Sequence, residues 1–136
     1  MDAEAQGSSP HVLLVDDDPD ILAGMDLALR TEGATTETAP DGASALLAFA
    51  QRRPDLVVLD VMLPAASGFV VLEKIRESPA PPPVVMVTAN QGRRHMTYAQ
   101  GLGAGAYLYK PVALDRLIET AVRLLGGGSG PSGSGT

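Results

Sequence analysis

Charged and hydroxyl side chains stand where apolar segments end. Asp16, Asp17 and Asp18 follow Val12–Val15 in VLLVDDDPD, and Asp60 follows Leu56–Leu59 in LVVLDVMLP. Thr88 follows Val84–Val87 in VVMVTAN, and Lys110 follows the short segment Ala106–Tyr109 in YLYKP. Two carboxylates about 4 Å apart repel by roughly 4 kcal/mol at an effective dielectric of about 20. Gathering Asp16, Asp17 and Asp60 therefore calls for a cation or a raised pKa. A small hard divalent ion is the simplest relief. Mg2+ takes carboxylates, waters and a phosphate oxygen, which suits a set of oxygens with no His or Cys in it. Lys110 would add a fixed positive charge and Thr88 a hydroxyl donor, describing a pocket for a doubly charged oxyanion. An aspartate inside such a pocket can attack phosphorus and form an aspartyl phosphate.

Whether these residues meet depends on the elements that carry them. The runs Val12–Val15, Leu56–Leu59 and Val84–Val87 are continuous, short and rich in Val and Leu, as expected for strands covered on both faces. Weaker strands fit Thr35–Thr38 and Ala106–Tyr109. Between them run helical periodicities. Ile21, Leu22, Met25, Ala28 and Leu29 mark the first, with Asp18 as N-cap, Pro19 in the first turn and Gly33 just past the end. Leu46, Leu47 and Ala50 mark a second helix, opened by Asp41 and closed before Pro54. Phe69, Leu72 and Ile75 mark a third, ended by Pro79 and Pro81–Pro83. A fourth, with a thin apolar face, covers about Arg93 to Leu102, and a fifth carries the stripe Leu114, Leu117, Ile118, Ala121, Leu124 and Leu125.

Alternation of this kind predicts a doubly wound α/β fold, a five-stranded parallel sheet with five helices on both faces. Ligands of such sheets bind beyond the carboxyl ends of the strands. With the flavodoxin-like strand order 2-1-3-4-5, strands one and three are neighbours, and Asp16, Asp17 and Asp60 converge. Asp18 needs no place in that cluster, because capping explains it.

At 136 residues, 45% of them hydrophobic, the chain is the size of one globular domain. The expected layout is a flexible extension over residues 1–10, a folded domain over 11–125 and a flexible Gly/Ser-rich tail or linker over 126–136. The longest apolar run, Ala45–Ala50, is too short to cross a bilayer, so a cytoplasmic protein without membrane contact is expected. Without cysteine there is no disulfide framework, thiol nucleophile or zinc-thiolate site. A net charge of −6 argues against a broad footprint on nucleic acid, so no direct nucleic-acid partner is expected.

In order along the chain, LLVDDDPDI, PDLVVLDVMLP followed by SGF, VMVTA and GAYLYKP resemble the signature of response-regulator receiver domains of two-component signalling, the family typified by the chemotaxis regulator. The resemblance covers Val12 to about Leu125. It implies that Asp60 is the phosphoacceptor. Asp17 would bind Mg2+ directly and Asp16 mainly through water, with the backbone carbonyl of Met62 as a further ligand. Thr88 would hydrogen-bond the phosphoryl group and Lys110 would pair with it. Tyr107 matches the switch aromatic whose ring turns inward as Thr88 moves, and the Lys110–Pro111 bond is expected to be cis. The family's partners are a histidine kinase or phosphotransfer protein upstream and an effector domain or protein downstream. The face of helix four, strand five and helix five changes on phosphorylation, and the molecule is a monomer or a weak, phosphorylation-dependent dimer. The resemblance implies no enzyme activity beyond its own phosphorylation and dephosphorylation.

Some positions depart from the family pattern. Val112 stands where Phe is frequent, and Arg116 where winged-helix regulators usually carry Glu in a dimer contact. Asn90 and Met62 occupy positions that tune the lifetime of the aspartyl phosphate. An alternative is an aspartate-nucleophile phosphatase of the haloacid-dehalogenase type, which wants an acid two residues after the nucleophile, where this chain has Met62. A flavodoxin-like cofactor module would want a phosphate loop after strand one, not acids. GLGAGA, residues 101–106, precedes a strand and reads as a helix end and tight turn rather than a nucleotide loop. Arg93, Arg94 and His95 read as a solvated helix start.

Overall fold

The computed structural model describes residues 9–64, 67–89 and 93–126, with only the backbone of residues 93–95. Residues 1–8 and 127–136 of the two peripheral stretches, Asn90, and the side chains of Arg93, Arg94 and His95 lie outside the described part. Ten elements alternate: β1 (His11–Val15), α1 (Pro19–Thr31), β2 (Thr35–Ala39), α2 (Gly42–Gln51), β3 (Leu56–Asp60), α3 (Gly68–Arg76), β4 (Val84–Thr88), α4 (Arg93–Gly101), β5 (Ala106–Tyr109) and α5 (Leu114–Leu125). The strands form one parallel sheet in the order β2-β1-β3-β4-β5.

Every residue of β1, β3 and β4 is buried, because helices cover both sides of these three strands. Side chains alternate between the faces. Leu13, Val15, Val57, Leu59, Val84 and Met86 pack with α2, α3 and α4. Val12, Leu14, Leu56, Val58, Val85 and Val87 pack with α1 and α5. The outer strands β2 and β5 are only partly covered.

Helix boundaries follow local chemistry. Asp18 Oδ1 accepts the amides of Asp20 and Ile21 at the start of α1, and Asp41 Oδ1 accepts the amide of Ser44 at the start of α2. Gly33 takes φ of +98° just beyond α1, and Gly103 takes +94° in the turn from α4 to β5. That turn is where the GLGAGA segment falls.

One helix turns differently from its periodicity. In α2 the buried residues are Gly42, Ala45 and Ala48, with Leu46 and Phe49 partly buried, while Leu47 is 61% exposed and Ala50 is exposed. ALLAFA is apolar all round, so pattern alone cannot choose its inner face. Small residues face inward where α2 meets α3, β1 and β2. In α5 the expected stripe faces the core, with Leu117 and Ala121 buried and Ile118, Leu124 and Leu125 packed beside them, and Leu114 at the first turn is exposed.

Candidate functional site

Strand pairing brings the chemistry to one edge. The amide of Asp16 donates to Ala39 O at 3.1 Å, that of Val61 to Val87 O at 2.9 Å and that of Lys110 to Thr88 O at 2.8 Å. These bonds continue the ladders past the strand ends and hold the loops in register. Asp16, Asp17, Asp60, Thr88 and Lys110 therefore collect beyond the carboxyl ends of β1, β3, β4 and β5.

Asp16 and Asp60 are buried, and Asp17 is exposed. One carboxylate oxygen from each of the three lies within 4.8 Å of the others. Lys110 Nζ stands 2.8 Å from Asp16 Oδ2 and 3.2 Å from Asp60 Oδ2. The remaining oxygens accept backbone amides, Asp18 N–H on Asp16 Oδ1 at 2.9 Å and Met62 N–H on Asp60 Oδ1 at 3.2 Å. Burial and the neighbouring Asp16 charge push the Asp60 carboxyl above its ordinary range, although Met62 N–H and Lys110 pull it back in part. Burial alone would lower the pKa of Lys110, but its contacts with Asp16 and Asp60 outweigh that and raise it.

Three clustered carboxylates with a single partly buried ammonium among them form an oxygen-only donor set with an open side at Asp17. That set fits a hard divalent cation such as Mg2+. Thr88, fully buried, ends β4 opposite Tyr109. Tyr107 is half-buried on β5, and its hydroxyl is buried without a hydrogen-bond partner among the described residues. Burial, then Tyr109, raises its pKa. The Lys110–Pro111 peptide is cis. Met62 follows β3 with an exposed side chain.

Three features were not anticipated. Lys110 is nearer Asp16 than Asp60, a pairing between residues far apart in sequence that no local signal announces. Gly68 packs against the backbone of Asp60, where an added Cβ would lie 2.2 Å from Asp60 O; the SGF motif contained it without giving the reason. Tyr109, next to Lys110, reaches α4 by donating its hydroxyl to Met96 Sδ at 3.6 Å.

Among known proteins, the family model described as "Response regulator receiver domain" matches residues 12–122. The chain is 40% identical over 114 residues to the probable transcriptional regulatory protein TcrX of Mycobacterium tuberculosis, covering 84% of this chain and 49% of that protein. It is 36% identical over 117 residues to the response regulator MprA of Mycobacterium ulcerans, covering 86% and 50%. The chain thus spans about half the length of the curated relatives it matches. Among solved structures, it resembles a CheY-like receiver domain protein from Methanospirillum hungatei, with a TM-score of 0.84, 29% identity and coverage of 88% and 95%. It also resembles the chemotaxis response regulator CheY4 of Vibrio cholerae, with a TM-score of 0.81, 28% identity and coverage of 86% and 99%. These relatives give the phosphatase alternative no support. Among the described residues no helix is long and apolar enough to cross a membrane.

Proposed function

This chain belongs to the response-regulator receiver family, and from that membership we propose that Asp60 accepts a phosphoryl group from the phosphohistidine of a histidine kinase or phosphotransfer protein. An Asp60 carboxylate oxygen attacks phosphorus, the P–N bond of the donor breaks, and the imidazole leaves. The observation that carries this reading is the convergence of Asp16, Asp17 and Asp60 within 4.8 Å at one sheet edge, with Lys110 in contact with Asp16 and Asp60.

Asp16, Asp17 and Asp60, with the Met62 carbonyl, would hold Mg2+, which when bound shields the carboxylates and the incoming phosphoryl oxygens from one another. Met62 N–H orients the Asp60 carboxylate by holding Oδ1. Lys110 pairs with the phosphoryl group, and the Thr88 hydroxyl donates to one of its oxygens. Phosphorylation adds nearly two negative charges. It shifts a conformational equilibrium only by the difference in its contacts between the two states. Thr88 and Lys110 supply that difference, and Tyr107 turns inward as Thr88 moves. The face of α4, β5 and α5 then changes for a downstream effector in the cytoplasm. The chain's own chemistry is limited to gaining and losing this group.

Incubation with Mg2+ and acetyl phosphate tests the reading. The expected product carries one acid-stable, hydroxylamine-labile phosphoryl group, absent from an Asp60→Asn variant. Equal labelling of the two proteins, or continuous turnover without a stable adduct, rejects it.

A further inference from the structure

Helix α4 is gripped at two points, and each grip is one residue removed from a group that touches Asp60. On one side the Tyr98 ring meets the Phe69 ring of α3 edge-on, with centroids 4.9 Å apart and planes at 84°. Phe69 follows Gly68, whose amide donates to Val61 O at 2.8 Å and whose missing Cβ leaves room for the Asp60 carbonyl. On the other side the Tyr109 hydroxyl donates to Met96 Sδ at 3.6 Å. Tyr109 is paired with Thr88 across the β4–β5 ladder and precedes Lys110, the ammonium beside Asp60. Its ring also meets that of Tyr107 at 5.6 Å and 73°.

Of the described side chains of α4, Ala99 alone is fully buried, and Tyr98 is 55% exposed although its ring is engaged. Among the described contacts of α4, one is the Tyr98–Phe69 ring pair and one the Tyr109–Met96 hydrogen bond, so displacing either bears directly on where the helix sits.

We infer that these contacts form a two-point linkage from the phosphoacceptor to α4. One arm runs Asp60, Gly68, Phe69, Tyr98, and the other Lys110, Tyr109, Met96. The inference rests on the reading of Asp60 as phosphoacceptor. A new charge on Asp60 displaces Lys110 and the backbone behind the nucleophile, and both arms carry that displacement by direct contact. Tyr109 and Tyr98 are positioning residues here, with no part in the transfer.

Hydrogen exchange of the α4 amides tests the linkage, read in the whole chain with Mg2+ alone and with Mg2+ plus acetyl phosphate. In the native protein, labelling is expected to change α4 exchange. A Tyr98→Leu/Tyr109→Phe double variant is expected to label at the native rate while the change at α4 shrinks about fivefold, each single variant giving part of the loss. If circular dichroism finds the double variant unfolded, Tyr109→Phe and Met96→Leu carry the test, because both preserve volume and remove only the O–H···S contact. A double variant that labels and keeps the whole α4 response overturns the linkage while leaving the phosphoacceptor reading intact, as does a native protein that labels without any change in α4. A native protein that never labels removes both.

Discussion

Lys110 Nζ is held 2.8 Å from Asp16 Oδ2, closer than its 3.2 Å to Asp60 Oδ2. The ammonium is therefore the counter-charge of Asp16 as much as of Asp60. It holds two buried acids together that otherwise repel each other.

Replacing Lys110 by Met removes that counter-charge. Breaking a buried pair by deleting one partner costs about 3 kcal/mol, so the variant is expected to unfold at distinctly lower urea in EDTA. Millimolar Mg2+ should recover part of the loss by taking over the neutralisation. A deficit of the same size with and without Mg2+ would separate Lys110 from the carboxylate cluster.

Asp60→Asn should act in the opposite direction. Burial and Asp16 make the ionised Asp60 unfavourable in the fold, so a neutral isostere is expected to raise stability in EDTA. The same change should reduce the extra stability conferred by Mg2+. Thermal unfolding of both proteins with and without the ion measures this, and a less stable variant in EDTA contradicts it.

Gly68→Ala puts a methyl carbon 2.2 Å from Asp60 O and 2.8 Å from Val61 Cα. Both neighbours are backbone, so the start of α3 or the end of β3 must shift, at a cost of about 1–3 kcal/mol. Because the displaced residue is Asp60, labelling by acetyl phosphate should slow as well. Native stability and native labelling rate together would show that the close approach is dispensable.

His11 should make stability depend on pH. Burial, then the charge of Arg52, lowers its pKa below 6.5, with Glu37 and Asp55 opposing. The unfolded chain therefore takes the proton first. The contribution of His11 is fully present above its unfolded value and is lost as pH falls through about 6.5 toward the lower folded value. Its Nδ1 lies 2.8 Å from Thr35 Oγ1 and its amide donates to Asp55 Oδ2 at 2.8 Å, so His11→Gln tests the ring with the backbone bond kept. Urea unfolding from about pH 7.5 to 5 should show a shallower fall in the variant. Parallel pH profiles would exclude the histidine as the cause.

Arg53 closes the opposite end of the sheet. Its Nη2 donates to Ser78 Oγ at 3.2 Å, to Ala80 O at 3.0 Å and to Pro79 O, and the guanidinium stands 5.1 Å over the Phe49 ring. These contacts are exposed, so Arg53→Ala should cost only about 1 kcal/mol. Arg53→Lys should recover little, since an ammonium lacks the planar fork. Chemical denaturation ranks the three proteins, and a fully rescuing lysine would reduce the contact to simple charge.

Much of this architecture is written in short-range pattern. Four-residue apolar runs identify β1, β3 and β4 because strands covered on both faces cannot afford polar residues on either. Asp18, Asp41 and Gly33 mark helix ends because each satisfies a local backbone requirement. The residues after those strands were legible as a set of oxygens and one ammonium for the same reason: in a parallel sheet every strand ends at the same edge.

What the sequence determined by itself is therefore the kind of fold, the order of its parts and the identity of the groups gathered at one edge, since all three follow from patterns a few residues long. The tertiary structure alone decided which neighbour of the pair Asp16 and Asp17 is buried, that Lys110 pairs with Asp16, that Gly68 must be bare beside Asp60, that α2 turns Ala45 and Ala48 inward, and that Tyr109 reaches Met96. Each of these depends on the distance between segments far apart in the chain, and such distances exist only once the sheet has closed and the helices have packed onto it.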